Sequence, residues 1–257
     1  MKIEEYLNTL PASIMTGENV ELQDNILSEI LEFASLSKND IFYHLGCGNE
    51  RSLAIALEEF GVKKAIGVDN NSEKIASAKK SLEDKNLSNW ILKCEDVLES
   101  DISEATVILF WFSDETIVER MTQRFSTLKK DCRIITIWGS LPGCLPDKVE
   151  FPYILNITPF KKSDDLKEQV IAIFGTDCID FVTAWEFAER YSRTISSKGV
   201  ENARFLTILQ TLVIWINAKN LGIACENEIP PPIKSYMDIL KTYFNIEVEH
   251  LLSQNTL

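Results

Sequence analysis

The 257-residue chain has no long uninterrupted apolar run. Its longest apolar stretch, Phe205 to Ile223, is broken by Thr207, Gln210, Thr211, Asn217, Lys219 and Asn220. A bilayer core needs about 20 consecutive apolar residues, so this stretch reads as a buried or amphipathic helix, and no membrane partner is expected. Histidine is scarce, at two residues, and the six cysteines (Cys47, Cys94, Cys132, Cys144, Cys178 and Cys225) include no C-x-x-C pair. That spacing favours neither a metal site nor a disulfide framework, and a reducing cytoplasm is the expected compartment. The opening MKIEEYLNTL is acidic and lacks a basic segment followed by an apolar one, so no secretory signal is expected. Positive charge is also short: 26 Lys and Arg stand against 39 Asp and Glu, a formal net charge of −13. The basic residues occur singly or in short pairs such as Lys63-Lys64 and Lys79-Lys80. Such a surface repels phosphates, so no nucleic-acid partner is expected, and it attracts basic proteins and amines.

What is present is an alternation of helical and strand periods. Residues 19–36 carry Ile26, Leu27, Ile30, Leu31, Phe33 and Ala34 at helical spacing. Strands are expected at 41–43, 64–68, 90–94, 105–112 and 133–138, with helices near 51–60, 72–85 and 115–128 between them. Gly61 suits the C-cap of the second helix, and Ser72 the N-cap of the third. Continuous apolar strands alternating with helices imply a doubly wound, mostly parallel sheet covered on both faces. Residues 151–158 and 169–174 complete a seven-stranded, Rossmann-like α/β domain over 1–176, as an antiparallel edge pair. Residues 177–257 read as a helical C-terminal appendage, with helices at 179–195 and 200–221 and a stiff break at Ile229 to Ile233. Trp185, Tyr191, Phe205, Leu209, Leu212 and Trp215 are many apolar groups for one peripheral unit. They either form a homodimer or pack on the preceding domain.

In open parallel sheets, ligands bind beyond the carboxyl ends of the strands, at the switch in strand order. Four features converge there. His44-Leu45-Gly46-Cys47-Gly48-Asn49-Glu50 joins the first strand to a helix, and glycines there allow a sharp turn and close approach of a bulky ligand. A purely structural turn explains the pair about as well. Asp69 ends the second strand some twenty residues on, where a carboxylate suits ribose hydroxyls. Asp96, after the third strand, can accept from an adenine amino group or be a solvated turn residue. Phe110-Trp111-Phe112-Ser113-Asp114 can wall a pocket and stabilise a sulfonium or ammonium, or belong to the core. Asp114 can hold an incoming ammonium or accept its proton; its other reading is the N-cap of the helix at 115–128.

Tyr43 to Arg51, Gly67-Val68-Asp69, Glu95-Asp96 and Ala105-Thr106-Val107 together resemble a class I S-adenosylmethionine-dependent methyltransferase. More narrowly, they are similar to the archaeal protein-lysine methyltransferases and their mitochondrial relatives. The resemblance covers about residues 19–174, including the leading helix and the Lys129-Lys130-Asp131-Cys132-Arg133 entry to the fifth strand. It implies S-adenosylmethionine as cofactor, with Gly46, Cys47 and Gly48 along the methionyl part, Asp69 on the ribose and Asp96 on the adenine. His44, Asn49, Asn70, Val97 and Trp111 stand beside them as further cofactor-binding candidates. No metal is implied. The departures are His44 and Asn49, each where the family has an acidic residue, and Glu50, where the family has a glycine. His44 can pack as a buried, hydrogen-bonded ring or, if protonated, meet the cofactor carboxylate; Glu50 can cap the following helix.

The function implied is methyl transfer to a protein lysine or another amine. Two alternatives remain at the level of sequence. One is a non-catalytic scaffold whose cofactor turn has decayed at His44 and Glu50. The other is a small-molecule methyltransferase using the C-terminal helices as a lid.

Overall fold

The computed structural model describes residues 22–112, 114–195 and 203–252. Contacts divide the chain into two compact units, and their boundary falls between Asp164 and Asp165.

The first unit opens with α1 (Asp24–Phe33), whose Leu27, Ile30, Leu31 and Phe33 are buried. Five strands follow in parallel: β1 (Ile41–Leu45), β2 (Lys64–Asp69), β3 (Trp90–Cys94), β4 (Val107–Phe110) and β5 (Arg133–Ile137). Between them run α2 (Arg51–Glu58), α3 (Ser72–Asp84) and α4 (Glu115–Phe125). Two short strands, β6 (Cys144–Leu145) and β9 (Lys161–Lys162), pair apart from the main sheet. The main sheet has seven strands, completed by β7 (Lys148–Glu150) and β8 (Tyr153–Ile157), in the order β3-β2-β1-β4-β5-β8-β7. β8 runs antiparallel to both β5 and β7. The chain leaves β1 towards β2 and β3, then returns to build β4 on the other side. The switch in order therefore lies at the carboxyl ends of β1 and β4, which is where Gly46 and Trp111 begin. Met121 and Phe125 of α4 are fully buried in one cluster with Tyr43, Leu45, Ile66, Val68, Ile108, Phe110 and Ile134. Burial of that size is worth roughly 1.5–3 kcal/mol per side chain.

The other end of the sheet is held by a polar knot. Asp40 is 5% exposed. Its Oδ2 accepts from Ser37 N and Oγ, both at 2.8 Å, and its Oδ1 accepts from Thr106 Oγ1 at 2.8 Å and from Arg133. Arg133 also donates to the carbonyls of Ala34 and Ser35 at 2.7 Å each, just past α1. One carboxylate thus joins α1, β1, β4 and β5.

Three local expectations are corrected. The seventh strand is Lys148–Glu150, not 169–174. Residues Leu166–Phe174 form a helix, α5, capped by the Asp165 carboxylate accepting from Lys167 N and stopped by left-handed Gly175. A short apolar run fits either period, and here the caps decide. The N-cap of α3 is Asn71 rather than Ser72: its side-chain oxygen accepts from Glu73 N at 3.0 Å and Lys74 N at 3.1 Å. Cys178 and Cys225, 47 residues apart, form a disulfide. The backbone bridge Ile179–Ala224 places them together, and no motif in the sequence signals it.

That disulfide lies in the second unit, with α5, α6 (Phe181–Ile195), α7 (Ala203–Asn220), α8 (Pro231–Phe244) and a short 3-10 helix (Glu249–Leu252). α7 buries Leu206, Leu209, Leu212, Ile214, Trp215 and Ile216, and so is apolar on most sides. Tyr191, Leu209, Leu212 and Trp215 are buried within the single chain, so a second copy would have to meet other residues. No described helix is long and apolar enough to cross a membrane.

Candidate functional site

The turn after β1 is built by glycine and closed by a carboxylate. Gly46 and Gly48 have φ of +75° and +63°, in the left-handed region that side chains other than glycine rarely adopt. The N–H groups of Gly46 and Cys47 both donate to Val68 O, at 2.8 and 3.0 Å. Gly48 N donates to Asp69 Oδ2 at 2.8 Å, while Asn71 N donates to Oδ1 at 2.9 Å. The carboxylate of Asp69 therefore draws the glycine turn onto the end of β2. Each oxygen keeps a second lone-pair direction for a hydroxyl donor.

The turn spends its own N–H groups internally. It offers a bare surface for close approach rather than a nest of donors for a phosphate. Gly48 has open space where a Cβ would stand. Gly67 is close-packed instead: a Cβ there would come within 2.9 Å of Cys47 Sγ. The Cys47 thiol is thus folded under the turn, and burial raises it to about 12, keeping it neutral. Its contribution to the turn's surface is backbone alone.

At Gly46 the neighbour is Phe112, whose Cζ would lie 2.8 Å from an added Cβ. The ring stacks on Phe110 with centroids 4.8 Å apart. Phe112 is the aromatic shown leaning over the turn, and no contact among the described residues places Trp111 there. The run Phe110 to Phe112 pointed to this place without saying which ring reaches it. Gly46→Ala combines a strained φ with this clash, each costing on the order of 1–2 kcal/mol. We expect the variant to lose most affinity for an adenosyl ligand while its melting temperature falls only by several degrees; isothermal titration and a thermal melt check both.

Asp96 is exposed, and its Oδ1 accepts from Leu98 N at 2.9 Å, leaving the other oxygen without a donor among the described residues. Val97 beside it is buried, and Asn70 is exposed after β2. Asp114 is the N-cap of α4, its Oδ1 accepting from Ile117 N at 3.0 Å. Among the described residues, no cluster of His, Cys, Asp and Glu is placed to hold a metal ion.

Residues 15–144 match the family described as histone methylation protein DOT1. The chain belongs to that family. It is an S-adenosylmethionine-dependent methyltransferase. A protein-lysine N-methyltransferase of Saccharolobus islandicus (strain REY15A) is 32% identical over 132 residues, 51% of this chain and 81% of that relative. An uncharacterised RNA methyltransferase of Protochlamydia amoebophila (strain UWE25) is 32% identical over 79 residues, 31% of this chain and 17% of its own. Among solved structures, an RNA methyltransferase from Salinibacter ruber in complex with S-adenosyl-L-homocysteine superposes with a TM-score of 0.52 at 20% identity. It covers 57% of this chain and 99% of its own, and at that identity the likeness is one of fold.

Within this methyltransferase, the three departures of the turn have structural accounts. Asn49 accepts from Arg51 N at 3.1 Å through its side-chain oxygen, starting α2. Glu50 makes no side-chain cap, against the expectation; its carboxylate instead accepts from Ser81 Oγ of α3 at 2.7 Å. That contact accounts for a carboxylate at the last position of the turn. His44 Nδ1 lies 2.6 Å from Ser52 Oγ, joining β1 to α2. Burial lowers His44 to about 4, with Asp69 pulling the other way, so the ring is neutral at pH 7. A protonated His44 meeting a carboxylate is therefore not the state the fold favours.

The sign of the linkage follows. A histidine whose folded pKa is depressed stabilises the fold fully above its unfolded value of 6.5, and that stability drains away as pH falls towards about 4. Up to about 3 kcal/mol is at stake. Denaturant midpoints measured from pH 7 to 4 should fall, and His44→Gln should flatten that slope.

Proposed function

We propose that this methyltransferase acts on the amine of a protein lysine, or a similar amine, and that the cradle of Gly46, Gly48 and Asp69 holds its cofactor. The observation that carries the reading is the 2.8 Å bond from Gly48 N to Asp69, which fuses glycine turn and carboxylate into one surface. In this reading, Asp69 accepts from the ribose hydroxyls. The second oxygen of Asp96 accepts from the adenine amino group, with Asn70 and Val97 beside it. His44, Cys47 and Asn49 shape the turn, and Trp111 and Phe112 wall the methionyl end.

S-adenosylmethionine supplies a methyl group already activated by its positive sulfonium. The protein has chiefly to align the amine, and positioning can be worth up to roughly 7–11 kcal/mol. Asp114, whose second oxygen has no donor among the described residues, is available to hold the incoming ammonium.

The net charge of −13 favours a basic protein over a nucleic acid, and the Saccharolobus islandicus relative carries the name of a protein-lysine methyltransferase. We place the enzyme in the cytoplasm. There the Cys178–Cys225 bond would have to resist cellular thiols, which counting free thiols on freshly isolated protein reads out. The decisive assay incubates the enzyme with methyl-labelled S-adenosylmethionine and a lysine-rich protein. Label is expected on that protein and lost when its lysines are acetylated. Label on RNA instead overturns the substrate assignment.

A further inference from the structure

The helical unit presents three aromatic rings that no part of the methyl-transfer site uses. Phe181 and Trp185 lie four residues apart on α6 and therefore share a face. Tyr236 of α8 meets both. The ring centroids are separated by 6.3 Å (Phe181–Trp185), 5.9 Å (Phe181–Tyr236) and 6.0 Å (Trp185–Tyr236), with interplanar angles of 35°, 54° and 35°. The three form a nearly equilateral triangle of tilted rings.

All three are half-buried, unlike Phe187, two residues past Trp185 on α6, which is buried. The same unit also carries most of the exposed apolar side chains. Of the six exposed large hydrophobic residues among those described, five (Ile171, Val182, Leu221, Ile239 and Tyr243) lie in this unit. Val182 adjoins Phe181 and is 64% exposed.

The charge has the matching sign. Residues 165–257 contain twelve carboxylates against eight Lys and Arg. Asp180, immediately before Phe181, accepts from Thr183 N at 2.7 Å, and this backbone hydrogen bond holds its carboxyl below the usual range and so ionised.

An aromatic face attracts a cation within about 6 Å of its centroid, most strongly when the cation is a poorly hydrated quaternary ammonium. A triangle with sides near 6 Å allows one such group to lie within that range of all three rings at once. We propose that Phe181, Trp185 and Tyr236 form an aromatic cage for an alkylated ammonium, with the trimethylated lysine side chain of a protein as its occupant. The cage is built from residues of the helical unit, none of which belongs to the glycine turn. It takes the chemical class that exhaustive amine methylation yields, and it needs no cofactor, so it stands or falls apart from the proposed substrate.

The test titrates the full chain, without cofactor, with three versions of one short peptide: a trimethyllysine, an unmodified lysine, and the neutral carbon isostere bearing a tert-butyl group. The isostere has the same shape and lacks the charge. The trimethyl peptide is expected to bind at least tenfold more tightly than either control. Trp185→Leu should remove that preference, and Tyr236→Phe, which keeps the ring, should preserve it. Circular dichroism checks the fold of each variant, and Tyr236→Leu serves as a second cage-breaking change should Trp185→Leu not fold. Equal binding of the trimethyl and tert-butyl peptides, no binding of any, or a preference that survives loss of a ring overturns the cage. An unaltered methylation assay in the Tyr236→Leu variant would show the two sites to be independent.

Discussion

Asp69→Asn is expected to weaken S-adenosylhomocysteine binding by at least about a hundredfold, the largest functional loss from any single change in the turn. Two backbone donors, Gly48 N and Asn71 N, converge on opposite oxygens of this carboxylate at 2.8 and 2.9 Å. An amide has only one acceptor oxygen, so one of these donors would face an NH2 group. The ribose hydroxyls would at the same time lose hydrogen bonds to a charged acceptor, each worth roughly 1.5–3 kcal/mol. About 3 kcal/mol in total corresponds to about a hundredfold in affinity. Calorimetric titration measures the loss, and a denaturant curve of the ligand-free variant separates it from the 1–3 kcal/mol or so expected from the disturbed turn. Unchanged affinity would mean that the adenosyl group does not rest on Asp69.

The largest loss of stability is expected at the opposite end of the sheet. Asp40→Asn leaves Arg133 facing a neutral partner in a knot where the Asp40 side chain is 7% and that of Arg133 20% exposed. Breaking a buried ion pair from one side costs about 3–5 kcal/mol, a large share of a domain's total stability. Arg133→Met should cost a similar amount, and the double variant less than the two added together, because both remove one interaction. For Asp40, burial acts to raise the carboxyl's pKa, but hydrogen bonds from Arg133, Thr106 and Ser37 and the charge of Arg133 outweigh it and hold it below 3.8. Its stabilisation is therefore complete above that value and lost as pH falls below it. Urea midpoints at pH 7 and pH 3 measure both effects. Activity per folded molecule should be unchanged, since the knot lies at the amino ends of the strands and the glycine turn, the proposed cofactor site, at their carboxyl ends.

The parallel sheet was legible because its strands are continuous apolar runs set between strongly periodic helices. Ile66, Val68, Ile108 and Ile134 sit in the core at 0% exposure as their pattern required. The glycine turn was legible for a different reason: residues other than glycine rarely adopt φ near +75°, the value at Gly46, so a glycine there reports the backbone. The edge of the sheet was not. Lys148–Glu150 is two charged residues around a single Val, with no period to detect, whereas the apolar run at 170–174 imitated a strand until Asp165 and Gly175 capped it as a helix. The disulfide, the Asn71 cap, the Ser52 partner of His44 and the Ser81 partner of Glu50 were hidden because each depends on which elements the fold brings together. The same holds for the aromatic triangle, whose third ring comes from a helix some fifty residues further along the chain.

The placement of the cofactor is tested most directly by a crystal structure of the enzyme with S-adenosylhomocysteine. The ribose hydroxyls should lie within hydrogen-bonding distance of both Asp69 oxygens, with the methionyl chain passing Gly46 beneath Phe112 and Glu50 still turned to Ser81. An adenosyl group bound away from Asp69, or a turn filled by the Glu50 or Phe112 side chain in the complex, would contradict it.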